Sequence, residues 1–228
     1  MRVGGGSLVT TRDVFITGGS GYIGRRLILA LASRGHRVRA LVREGSRHKL
    51  PAGCTTIVGD ALNAATFAPH VAPEDSFVQL VGTPHPSPAK AEEFQRVDLV
   101  SVRESVAAAA GGRVSHFVYI SVAHPAPAMR AYIAVREAGE EMIRSSGLHA
   151  TILRPWYVLG PGHRWPYVLV PAYWILERLP PTRDAARRLG LITLEQMIRA
   201  LVYAVERGSA GVEVLGVPEM KRLSGASS

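Results

Sequence analysis

The sequence predicts an α/β protein, a parallel β-sheet covered by helices on both faces. Three observations predict it. Short apolar runs alternate with segments of helical period, the runs are apolar on both faces, and a glycine-rich turn joins the first run directly to a helix. A length of 228 residues suits one domain, and 47% hydrophobic residues supply the core that a disordered chain lacks.

Residues 1–12 form a glycine-rich leader, expected to be flexible. Asp13-Val-Phe-Ile-Thr17 is a β-prone run that enters Gly18-Gly-Ser-Gly-Tyr-Ile-Gly24. Residues 25–34 follow a helical period, with Ile23, Leu27, Ala30 and Leu31 on one face and Gly35 as the stop. Strands are expected at 36–42, 56–58, 76–81, 116–121 and 150–153. Between them come a short helix near 61–68 and long helices at about 89–110 and 129–146. Beyond Arg154, prolines 155, 161, 166, 171, 180 and 181 break the rhythm, so about 155–217 reads as a small C-terminal elaboration of the sheet. Within it, Thr193-Leu-Glu-Gln196 has capping-box spacing and opens a helix to about Arg207, and 212–217 is a last strand. Residues 218–228 read as a tail, disordered from Ser224 onward.

The turn after the first strand holds Gly19-x-Gly21-x-x-Gly24 and Gly18-x-x-Gly21-x-x-Gly24. Between a strand and a helix, such glycines let the chain turn tightly, let a pyrophosphate approach main-chain N–H groups, and let helix and sheet pack closely. The expected fold is therefore a Rossmann-type doubly wound sheet that binds a dinucleotide over residues 13–217. In that fingerprint an acid about twenty positions on holds the ribose 2′-hydroxyl. Here Arg43 stands nineteen residues past Gly24. A guanidinium grips a 2′-phosphate, so Arg43, helped by Arg25 and Ser46, favours NADP, while Glu44 beside it leaves NAD open.

The chain resembles the short-chain dehydrogenase/reductase superfamily, in particular its atypical and extended members such as NmrA-like and complex I subunit-like NAD(P)-binding proteins. The resemblance covers about residues 13–217. It rests on the glycine loop, Val58-Gly-Asp60-Ala61, Val81-Gly82, Ser121, and Arg154-Pro155-Trp-Tyr-Val-Leu-Gly160-Pro-Gly. It implies that Gly18, Gly19, Ser20, Gly21, Tyr22, Ile23 and Gly24 form the cofactor loop. By the same resemblance Asp60 and Ala61 lie beside the adenine, Val81 and Gly82 line the cofactor, Pro155 borders the nicotinamide, and the C-terminal elaboration covers the substrate. Asp60 also suits a helix N-cap.

The superfamily pairs a serine with Tyr-x-x-x-Lys, one helical turn apart. This chain offers Ser121 and Tyr132-Ile-Ala-Val-Arg136, with arginine where the pattern has lysine. The resemblance implies a proton-transfer role for Tyr132, an oxygen-steadying role for Ser121, and a ribose-orienting cation at Arg136, while arginine and lysine are not interchangeable where geometry is tight. Two functions follow: a NAD(P)-dependent oxidoreductase or epimerase-like enzyme acting on a small apolar or aromatic carbonyl or alcohol, or a catalytically silent NADP(H)-binding sensor or assembly protein. His85 and His124 follow strand ends but are flanked by prolines, which suits surface loops.

The net charge is +9, most of it between residues 25 and 49, where eight basic residues face the one acid Glu44. No recognition motif accompanies them, so the expected partner is a small molecule and not nucleic acid. One cysteine, Cys54, excludes an internal disulfide, and no His, Asp or Glu cluster has metal spacing, so no metal is expected. With no apolar stretch of membrane-spanning length and no leader h-region, the protein is expected in the cytoplasm. Six of the fifteen aromatic residues fall between Trp156 and Trp174, a segment that suits an apolar lid, a peripheral membrane contact, or core or homodimer packing.

Overall fold

The computed structural model describes residues 10–126, 129–160 and 189–225. The elements run β1 (Asp13–Thr17), α1 (Tyr22–Ser33), β2 (Arg37–Val42), β3 (Cys54–Val58), β4 (Asp75–Gln79), α2 (Ala91–Glu93), a π-helical turn (Phe94–Leu99), α3 (Val100–Gly112), β5 (His116–Ile120), α4 (Arg130–Ser145), β6 (Ala150–Arg154), β7 (Tyr157–Leu159), β8 (Leu191–Thr193), α5 (Leu194–Arg207), β9 (Val212–Gly216) and α6 (Val217–Gly225). Seven strands form one sheet in the order β3-β2-β1-β4-β5-β6-β9, every neighbouring pair parallel, and β7 pairs with β8 apart from it. The strand order reverses between β1 and β4, and open α/β sheets bind ligands at that reversal.

Alternation along each strand divides the core into two layers. Val14, Ile16, Val38, Ala40, Val78, Val118 and Leu153 face one layer, under α1, α5 and α6, together with Leu27, Ile28, Leu31, Met197, Leu201 and Met220. Phe15, Leu41, Phe77, Phe117, Tyr119 and Ile152 face the other, with Val102, Ala109 and Ile143 of α3 and α4. On that second face the rings step across the sheet, Phe15 to Phe77 at 5.2 Å and Phe77 to Phe117 at 5.3 Å between centroids. Such stacking adds about 0.5–1.5 kcal/mol per pair to the area buried.

The capping box at Thr193 forms as its spacing predicts: Thr193 Oγ1 accepts from Gln196 N–H at 3.1 Å and Gln196 Oε1 accepts from Thr193 N–H at 2.9 Å. Three expectations are corrected. The helix expected near 61–68 is two 3₁₀ turns, Ala64–Thr66 and Ala68–His70, the first capped by Asn63 and the second begun by Pro69. The tail expected at 218–228 is helical through Gly225. Val217 and Met220 are buried against the first core layer, and Pro218 opens α6, where its missing N–H is no loss. The leader expected flexible over 1–12 ends in an anchored residue: Arg12 N–H donates to His36 Nδ1 at 3.1 Å and its Nη2 donates to the Glu206 carbonyl at 3.0 Å. Residues 1–9 lie outside the described residues.

At the start of β5, His116 is 3% exposed, bonded through Nε2 to Thr151 Oγ1 at 3.0 Å. Burial, then the charges of Arg12 and His149, pull its pKa down from 6.5 to about 4. A depressed histidine pKa means that the unfolded chain takes up the proton first, so the stability held above pH 6.5 is lost as pH falls toward 4, by roughly 3 kcal/mol. In His116→Gln the melting temperature is expected to fall less across that interval than in wild type. Parallel pH profiles for the two proteins contradict this.

Candidate nucleotide and catalytic site

The C-terminal ends of β1 to β4 open on one cleft of about 480 Å³, lined by Gly18, Ser20, Gly21, Leu41, Val42, Arg43, Gly59, Asp60, Ala61, Leu62, Leu80, Val81, Gly82, Pro84, Glu93 and Val97. Four successive strand ends, β3, β2 and β1 on one side of the reversal and β4 on the other, thus supply one site. A larger hollow of about 580 Å³ lies at the opposite end of the sheet, around Arg12, His116 and Gly211, away from every strand C-terminus.

The glycines make the cleft floor possible. Gly18 has φ +76° and a Cβ there would stand 2.9 Å from Leu80 C. A Cβ on Gly24 would collide with the Gly18 carbonyl oxygen and stand 2.8 Å from Gly19 Cα. Gly19 packs down on Ala40 and Ile28. Gly21 is the N-cap of α1 with no side-chain cap and no acid in the first turn, so the helix offers bare N–H groups and its positive dipole end toward the cleft. An uncapped helix start of this kind favours an anion.

On the rim, Arg43 is exposed and has no side-chain partner among the described residues. Most of its basic neighbours differ: Arg34 pairs with Glu206, Arg37 with Asp13, Arg39 with Asp75 and Arg47 with Glu44. Four of the eight basic residues between 25 and 49 are thus paired with a carboxylate, whereas Arg43 stands at the cleft with none among the described residues. Asp60 caps a tight turn and no helix, accepting from Leu62 N–H at 3.0 Å. Of the thirteen residues expected to touch cofactor, Gly19, Tyr22, Ile23, Gly24 and Pro155 do not line the cleft. Gly19, Ile23 and Gly24 pack beneath it, Tyr22 lies against Arg26 at 4.7 Å, and Pro155 is buried with its carbonyl accepting from Ala123 N–H.

The three residues expected to do chemistry are near one another in the fold but already engaged. Tyr132 is half-buried at the start of α4, its ring tilted on Phe94 at 5.0 Å and over the Arg136 guanidinium at 5.0 Å. Arg136, expected to reach a ribose, is instead held by Asp98 Oδ1 at 2.6 Å, the Ile120 carbonyl at 3.0 Å and Tyr119 Oη at 3.5 Å. Burial alone disfavours its charge, but Tyr132, Tyr119 and Asp98 outweigh that and its pKa is raised. Ser121 is 2% exposed and donates to Glu140 Oε1 at 2.6 Å.

Glu140 is the residue that sequence reasoning missed. It also accepts from Arg154 Nε at 2.8 Å and from Arg154 Nη2, with Arg144 Nη2 at 3.2 Å and His124 Nε2 at 3.5 Å. Burial raises its pKa, but Arg154, Ser121 and His124 more than reverse this and the net shift is downward. His124 is therefore no free loop histidine; it lies 3.0 Å from Glu137 and beside Glu140. Asp98 is the second omission. The available signal was a lone acid at a position of α-helical period with no basic residue one turn away. Of the aromatic segment, Trp156 and Tyr157 meet edge to face at 5.6 Å, while Trp165, Tyr167, Tyr173 and Trp174 lie outside the described residues. Among the described residues no helix is long and apolar enough to cross a membrane.

The model of a family described as NAD(P)H-binding matches residues 18–169. The chain is 29% identical over 218 residues to a protein of Caulobacter vibrioides named a ceramide reductase, covering 91% of this chain and 63% of that one. It is 29% identical over 168 residues to a 4-hydroxy-2-methyl-3-oxo-4-farnesyl-3,4-dihydroquinoline-1-oxide ketoreductase of Stigmatella aurantiaca, covering 64% of this chain and 50% of that one. The chain thus spans about half to two thirds of these relatives. Among solved structures, the Bordetella bronchiseptica enzyme WbmH in complex with NAD+ superposes with a TM-score of 0.68 at 23% identity, over 90% of this chain and 76% of that one.

Proposed function

Because the chain belongs to the NAD(P)H-binding family, we propose that it is a NADP-preferring oxidoreductase or epimerase-like enzyme acting on a small apolar or aromatic carbonyl or alcohol. One observation carries the reading: Arg43, whose guanidinium has no side-chain partner among the described residues, stands on the rim of a cleft whose floor is an uncapped helix N-terminus. The first suits a 2′-phosphate and the second a pyrophosphate. The names of the two relatives, a ceramide reductase and a farnesyl-bearing dihydroquinoline-oxide ketoreductase, support reduction of an apolar substrate.

A bound nicotinamide supplies or takes up the hydride. Tyr132 moves the proton at the substrate oxygen, and Phe94 and Arg136 hold its ring in place. Ser121 spends its hydroxyl hydrogen on a bond donated to Glu140, a carboxylate kept ionised by Arg154, so its oxygen meets the substrate oxygen as an acceptor, which suits an alcohol O–H. Val81 and Gly82 form the wall against the cofactor. The silent sensor or assembly protein remains the second reading, favoured by the prior engagement of Ser121 and Arg136 with protein partners.

NADPH is expected to bind more tightly than NADH by about tenfold or more, because a charge-assisted bond is worth roughly 1.5–3 kcal/mol. Arg43→Ala should remove most of that difference, and equal calorimetric affinities in wild type sink the Arg43 assignment. Turnover is tested by a screen of aldehydes, quinones and ketones, long-chain ones included, that follows NADPH absorbance. Oxidation of NADPH with any of them supports the enzyme; tight NADPH binding with no turnover in the whole screen favours the silent reading.

A further inference from the structure

Asp98 and Arg136 form a buried pair, their side chains 0% and 6% exposed, that joins four parts of the chain. Asp98 Oδ2 accepts from both the N–H and the hydroxyl of Thr83, at 2.9 and 2.6 Å, in the loop after β4. Asp98 Oδ1 accepts from Arg136 Nη2 on α4, and Arg136 Nη1 donates to the Ile120 carbonyl at the end of β5. A Cβ on Gly82 would stand against Arg136 Nη2 and 3.2 Å from Asp98 Oδ1, so the loop backbone lies directly on the pair. Gln79 Nε2, bonded to the Val81 carbonyl at 3.2 Å, ties the same loop from the strand side.

This loop is cleft wall. Val81 and Gly82 line the cavity, and so do Glu93 and Val97, just ahead of Asp98. Asp98 itself lies in the π-helical turn, a widened helical geometry that recurs at functional sites. Resting on the nucleotide-binding reading above, we infer that the Asp98–Arg136 pair is a clamp that sets loop 81–83 against the cofactor, with Asp98 and Thr83 as positioning residues for cofactor binding. Arginine suits the task because its planar fork serves two acceptors from two nitrogens, Asp98 Oδ1 and the Ile120 carbonyl. A lysine ammonium would have to serve both from one point. The arginine standing where the resembled pattern has lysine is thus matched to the carboxylate at 98.

The test measures NADPH dissociation constants and melting temperatures for wild type, Thr83→Val, Arg136→Lys and the double variant Asp98→Leu/Arg136→Met. Thr83→Val removes one hydroxyl bond and keeps the N–H, and it is expected to fold and to bind NADPH about three- to tenfold more weakly. Arg136→Lys should lose about tenfold on the same grounds. The double variant exchanges a buried ion pair for apolar side chains, a change that commonly preserves stability, yet it should bind NADPH at least about tenfold more weakly because loop 81–83 has lost its anchor. A merely structural pair would move the melting temperature and leave NADPH affinity alone. Wild-type affinity in a folded double variant overturns the clamp; if that variant does not fold, wild-type affinity in Thr83→Val overturns it. A wild-type protein that binds neither NADPH nor NADH removes the nucleotide reading itself, and the clamp with it.

Discussion

Tyr132→Phe is expected to lower kcat by about 10²–10⁴ for any carbonyl the protein reduces, the range for deleting a positioned general acid. The substitution removes one oxygen and keeps the ring, so packing on Phe94 and over the Arg136 guanidinium should persist. Melting temperature and NADPH affinity should therefore hardly change while turnover collapses. That separation matters, because Tyr132 shares a neighbourhood with the Asp98–Arg136 pair, and a variant that disturbed the pair would lose binding and rate together. Turnover that survives intact in Tyr132→Phe removes the proton-transfer assignment.

Gly24→Ala carries the second large effect. A Cβ there meets the Gly18 carbonyl oxygen and the Gly19 Cα, both backbone, so no side chain can move aside and the loop must shift. Overpacking of this kind costs about 1–3 kcal/mol, and here the displaced atoms form the phosphate cradle itself. NADPH affinity is expected to fall roughly ten- to a hundredfold, since each 1.4 kcal/mol is a factor of ten. NADH should lose the same factor, because both cofactors share the pyrophosphate. A loss confined to NADPH contradicts this placement of the loop.

The fold was legible because its signals are local. Phe15 and Ile16 alternate within one short run, Gly18 to Gly24 sit between a strand and a helix, and Thr193 and Gln196 are three apart; each reports on neighbours in sequence. Much of the lining of the cleft could be placed for the same reason, because Gly18, Arg43, Asp60 and Val81 follow strand ends, whereas Glu93 and Val97 reach it from the helical segment before α3. What escaped was long-range. Asp98 meets Arg136 across 38 positions, and Ser121 meets Glu140 across 19, contacts that no spacing within a helix or strand announces. Tyr132 and Arg136 were recognised as a pair one turn apart, but the direction of the guanidinium depends on a carboxylate supplied by another helix. The tail expected at 218–228 is helical through Gly225 because Val217 and Met220 find cover in the first core layer, a long-range contact that the local sequence does not announce.

A crystal structure of the protein with NADPH tests the central claim most directly. The account predicts the pyrophosphate against the N–H groups at the start of α1, the 2′-phosphate within about 3 Å of the Arg43 guanidinium, and the nicotinamide between loop 81–83 and Tyr132. NADPH seated elsewhere, or lying in the cleft with its 2′-phosphate turned away from Arg43 and its nicotinamide out of reach of Tyr132, would contradict it.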